Sequence, residues 1–126
     1  MTLFHAVVHL DHHEAHIHPF DAEHVESTRV KAHRHVTRRH ASDVRHEHEF
    51  FAEVCDALEG ITEVLVTGSN TSLADFQHYV RKHRPQLVPH IAGYEPVDRL
   101  TEPQLVAMAR QYFLRYDRMN GTPTPS

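Results

Sequence analysis

The chain has 126 residues, with 13 lysines and arginines against 17 acids, a net charge of −4 and 40% hydrophobic residues. That length supports one domain with a real core, the apolar content excludes a disordered chain, and the charge gives no global basic field to draw it to nucleic acid. No apolar run approaches the roughly 18 residues of a membrane span. The start MTLFHAVVHLDHH lacks the basic and long apolar regions of a signal peptide. The single cysteine, Cys55, excludes an internal disulfide, so a reducing, cytoplasmic setting is expected. The anomaly is histidine: there are 15, and 12 of them precede residue 50.

From Leu3 to Leu10 the residues alternate, Phe4, Ala6, Val8 and Leu10 on one face and His5, Val7 and His9 on the other, which is strand periodicity. Asp11-His12-His13-Glu14 reads as a polar hairpin turn, and Ala15–Phe20 as a second strand. A third is expected over 25–36, with Thr28, Val30 and Ala32 on one face and Arg29, Lys31, His33 and His35 on a solvated one. The three form an antiparallel meander. Residues 36–43 break the pattern and read as a loop, after which Ser42 is the expected N-cap of a helix with Asp43 in its first turn. Phe50, Phe51, Val54 and Leu58 form the buried stripe of that helix, Cys55 is a small core residue beside it, and Gly60 is its stop.

Residues 63–67, EVLVT, have the composition of a buried strand. Gly68-Ser69-Asn70 is a turn, and Thr71-Ser72 opens a helix with Leu73, Phe76, Tyr79 and Val80 on one face. Pro85 and Pro89 bracket a connector, 91–97 is a last strand, and Thr101-Glu102-Pro103-Gln104 has capping-box form with proline in the first turn. Leu105, Met108, Ala109, Tyr112 and Phe113 are the stripe of the final helix, and 120–126 a disordered tail. The order β-β-β-α-β-α-β-α predicts an α/β mixed sheet with helices packed on it, as one domain over 1–119.

In that order the segments HEHEFFAEVCDALEG and EVLVTGSNTSLADF, with the strand and helix that follow, resemble the central domain of archaeal and eukaryotic class 1 peptide-chain release factors and of Pelota. The whole chain is similar to small bacterial proteins called translational machinery proteins, which share the turn seen here as Asp11-His12-His13-Glu14-Ala15 and a histidine-rich third strand. The resemblance implies an RNase H-like fold and a partner in the ribosome or tRNA. Release factors carry a Gly-Gly-Gln loop just before the long helix, where this chain has VTRRHASD at 36–43. Peptide release by that mechanism is therefore not expected. Asp11 ends the first strand without a readable set of carboxylate partners, so a nuclease is not expected either.

Three constellations remain. Arg29, Lys31, Arg34, Arg38, Arg39 and Arg45 are six of the 13 basic residues, against the one acid Asp43, and form a local patch suited to RNA backbone. No base-reading aromatic signature accompanies them. Gly68, Ser69 and Asn70 either make a plain turn or hold an anion at a helix start. His16 and His18, and His33 and His35, lie two apart on strand faces, where imidazoles can converge on Zn, Ni or Cu. The leading expectation is a non-catalytic, cofactor-free, translation-associated RNA-binding protein with no membrane partner; the alternative is a histidine-rich transition-metal-binding protein.

Overall fold

A computed structural model describes residues 4–11, 13–32 and 40–120. Three antiparallel strands come first: β1 (His5–Leu10), β2 (Glu14–Phe20) and β3 (Thr28–Lys31). On the other side of β1, β4 (Glu63–Gly68) and then β5 (Ile91–Pro96) add in parallel, giving the order β3-β2-β1-β4-β5. Helix α1 (His40–Ala57) leads into β4, α2 (Asn70–His83) joins the parallel pair β4–β5 as such pairs require, and α3 (Glu102–Asn120) closes the chain. This is the α/β mixed sheet with packed helices expected from the element order.

The two-residue period of the strands sorts the core into two layers. Ala6, Val8 and Leu10 of β1, Ala15 and Ile17 of β2, and Val64 and Val66 of β4 face Phe50, Phe51, Val54 and Leu58 of α1 and Leu73, Phe76 and Val80 of α2. Val7, Phe20 and Leu65 face the other way, against Leu105, Val106, Ala109 and Phe113 of α3. Each fully buried phenylalanine contributes about 2–3 kcal/mol through this burial. Cys55 is buried in the first layer, and burial pushes its thiol up to about 11, as suits a core residue and not a nucleophile.

Local chemistry explains the boundaries. At the β1–β2 turn the Asp11 Oδ1 accepts N–H bonds from His13 (2.7 Å) and Glu14 (2.8 Å), a side-chain turn that needs no glycine. Partial burial would raise the Asp11 carboxyl, but these two donors hold it below its ordinary value. Gly60 ends α1 at φ 86°, as expected for a helix stop. At α3 the box is reciprocal: Thr101 N–H donates to Gln104 Oε1 (3.0 Å) and Gln104 N–H to Thr101 Oγ1 (3.3 Å).

Four expected boundaries need correction. The third strand is shorter than 25–36: β3 covers Thr28–Lys31, and Val25 makes only an isolated bridge to Phe20. Helix α1 begins at His40, before Ser42, because Ala41 is a strong helix former and nothing in 40–43 breaks the ladder. Helix α2 begins at Asn70 and not at Thr71-Ser72, since Ser69 is the N-cap and its Oγ accepts the Ser72 N–H. Asn120 belongs to α3, and the remaining tail, 121–126, lies outside the described residues.

Candidate nucleic-acid interface

The sheet face that carries Val7 and Leu65 also carries His5 and His9 on β1, His16 and His18 on β2, and Glu63 and Thr67 on β4. Across the β2–β3 ladder, Arg29 stands opposite His16 and Lys31 opposite Glu14, so the basic side of β3 continues the same face. Among the described residues, α3 is the helix that covers this face. Beside the start of α3 a cleft of about 350 Å³ remains, lined by His9, His16, His18, Arg29, Arg99 and Glu102 among others. Arg99 comes from the link between β5 and α3, so the cleft joins residues 70 apart in sequence.

Its hydrogen bonds fix how the imidazoles are presented. The Thr67 hydroxyl donates to the Val8 carbonyl (2.7 Å) and must therefore accept from His9 Nδ1–H (3.1 Å). A neutral His9 then keeps its lone pair on Nε2. Neutrality follows from burial, which lowers its pKa; Asp11 opposes this, while His16, Arg99 and His18 reinforce it. His18 Nδ1 lies 3.1 Å from Ser27 Oγ and 3.2 Å from Glu102 Oε1, and the Ser27 hydroxyl donates to the same Glu102 oxygen. Burial lowers the His18 pKa too, against the pull of the Glu102 carboxylate. His16 Nε2 donates to Glu14 Oε1 at 3.1 Å. The wall is thus made of oriented, partly buried imidazoles, with the arginines exposed at the rim.

The expected site residues divide as follows. Arg29 and Lys31 are exposed on β3, as read from the sequence. Arg34, Arg38, Arg39, His33 and His35 lie outside the described residues, and of Arg45 only the backbone, within α1, is described. His16 and His18 share a face with stacked rings, centroids 6.4 Å apart, but they point nitrogens at different carboxylates. At 68–70 the glycine has a structural explanation. Gly68 pairs with Leu10 and Pro96 at φ 151°, and a Cβ there would strike the Leu10 carbonyl. Ser69 is engaged as the cap of α2.

The sequence reading missed Arg99 and Glu102 at the cleft. It also missed a second cluster at the other end of β1. There His5 Nε2 lies 3.0 Å from Glu63 Oε1 and 3.2 Å from Asp117 Oδ2, with side-chain exposures of 6%, 12% and 1%. Burial, then the hydrogen bond and charge of Asp117, push the Glu63 carboxyl up to about 8, so it holds a proton at neutral pH. Burial lowers the pKa of His5 despite the Asp117 carboxylate beside it. The available signal was positional: Asp117 follows Phe113 by four residues, on the buried stripe of α3 where an acid needs a partner.

The fold has solved counterparts. Archaeoglobus fulgidus Pelota superposes with a TM-score of 0.62 at 16% identity, over 93% of this chain and 33% of that one. The Thermoplasma acidophilum Pelota protein gives 0.58 at 18% identity, over 85% and 31%. The archaeal translation termination factor aRF1 gives 0.54 at 14%, over 93% and 41%. The chain therefore spans about a third of the length of the Pelota proteins and shares with all three a domain fold, the α/β fold anticipated above. No protein-family model and no curated protein matches the sequence. Among the described residues, no helix is long and apolar enough to cross a membrane.

Proposed function

We propose that this chain is a non-catalytic, translation-associated domain that grips the phosphate backbone of ribosomal RNA or tRNA along β3 and the histidine-lined cleft. The observation that carries the reading is the convergence of Arg29 and Arg99 on one cleft, with Lys31 on the same strand face as Arg29. Two guanidiniums flanking a trough of imidazoles suit phosphate oxygens, which arginine binds through paired donors. The stretch 34–45, with Arg34, Arg38, Arg39 and Arg45, extends the same basic run in sequence. The likeness in fold to Pelota and to a translation termination factor supports the choice of ribosome or tRNA as the RNA. Binding of this kind reads backbone and shape and not base sequence.

The test is binding of a tRNA or an rRNA fragment as a function of salt, for the wild type and for Arg29→Ala/Arg99→Ala. The double variant is expected to bind more weakly at every salt concentration. Its slope of log K against log salt should shrink by about two units, one per lost phosphate contact. An unchanged affinity and slope would remove the cleft from the interface.

A further inference from the structure

We propose that His5, Glu63 and Asp117 form a binding site for a zinc-class divalent cation, at the opposite end of β1 from the cleft. The residues come from β1, β4 and α3, at sequence separations of 58 and 112, and only the folded topology brings them together. One ligand atom from each lies within 4.8 Å of the other two. The His5–Glu63 and His5–Asp117 edges of this triangle are 3.0 and 3.2 Å. Ligands about 2.0–2.2 Å from a tetrahedral ion stand roughly 3.2–3.6 Å apart. Two of its edges already have nearly that size, and the third lies within 4.8 Å, so a cation can enter by small side-chain shifts.

The donor set selects the class of ion. One imidazole nitrogen with two carboxylate oxygens suits Zn²⁺ and its first-row neighbours, whereas Ca²⁺ and Mg²⁺ prefer all-oxygen cages. A dication that displaces the Glu63 proton meets two carboxylates beside a neutral imidazole, a charge of −2 that it balances inside a buried site. The shell is built to hold the ring: Phe4 meets His5 edge-on at 4.7 Å, Phe20 stacks at 5.7 Å and Phe113 tilts against it at 4.4 Å. Such packing fixes the ligand's orientation and keeps the surroundings dry. Glu63, the most exposed of the three, gives the ion its way in. This site is about 13 Å along β1 from His9 and does not depend on the RNA reading.

The experiment is titration of chelator-treated full-length protein with Co²⁺, followed by its visible d–d absorption, and with Zn²⁺, followed by calorimetry and thermal melting. The wild type should take up one equivalent of Co²⁺ with an intense low-symmetry band that Zn²⁺ displaces, and Zn²⁺ should raise the melting temperature. Glu63→Gln and Asp117→Asn should each weaken the one-equivalent binding by more than about tenfold. His16→Ala, in the cleft, should keep it. Absence of the band in the wild type, its persistence in both triad variants, or its loss in His16→Ala would overturn the proposal. Should a triad variant fail to fold, the wild-type spectrum and the His16→Ala protein still decide.

Discussion

The two faces of the sheet are built by opposite rules. The face under α1 and α2 is dry: Ala6, Val8, Leu10, Ile17, Val64 and Val66 meet three phenylalanines, and the layer includes Leu58 and Leu73. The face under α3 alternates apolar and polar positions along the same strands, so Val7 is flanked by His5 and His9, and Leu65 by Glu63 and Thr67. One helix cannot cover a five-stranded sheet. The strand ends it leaves uncovered carry imidazoles, arginines and carboxyls. Stability therefore resides chiefly on the first face, and the second holds the polar and ionisable side chains.

Substitutions should break this division in a graded way. Phe76→Ala, in the middle of the dry face, is expected to cost about 3–5 kcal/mol through lost transfer energy and the cavity left behind, read from urea unfolding. Gly68→Ala should cost about 2 kcal/mol or more in the same measurement, because its Cβ would meet the Leu10 carbonyl in a strained backbone conformation. Thr101→Ala removes one half of the α3 capping box and should cost about 1 kcal/mol. Arg29→Ala and Arg99→Ala, exposed on the polar face, should stay within about 0.5 kcal/mol of wild type. A large loss from the arginines or a small one from Phe76 would contradict the division.

Acid should sharpen the contrast. In the unfolded chain His9 and His18 take up protons near their ordinary value of 6.5, whereas burial holds both lower in the fold. The groups facing them are Asp11, His16, Arg99 and His18 for His9, and Glu102 and His16 for His18. Between the two values the unfolded state binds more protons, so this part of the stability is present above about pH 7 and declines as the pH falls through 6.5. The Glu63 carboxyl, pushed up to about 8, acts in the opposite sense, so the His9 share is read as a difference: the urea midpoint of the wild type should fall relative to that of His9→Asn as the pH goes from about 7.5 to 5.5. A wild-type midpoint that rose with acid relative to His9→Asn would reverse the sign argued here.

Much of the architecture was legible because period and punctuation are local properties. The β1 alternation, the Phe50–Leu58 stripe, Gly60 and the Thr101–Gln104 box each announce themselves within a few residues, and each is found in the fold. The missed helix starts at His40 and Asn70 are also local, but there several adjacent polar residues compete for the same cap. The sites were less legible for a different reason. Arg99 joins Arg29, and Asp117 joins His5, only through strand order and the path of α3, which no window of sequence contains. The histidines drew attention as a count; what gives each a role is its partner, Thr67 for His9, Ser27 and Glu102 for His18, and two carboxyls for His5.

The measurement that bears most directly on the central claim is sedimentation of the untagged protein with ribosomes through a sucrose gradient, at low and moderate salt. The account predicts co-migration with ribosomes at low salt, weakening as salt rises and lost in a folded Arg29→Ala/Arg99→Ala variant. Wild-type protein confined to the free fraction at both salts, or a double variant that co-migrates as well as wild type, would contradict it.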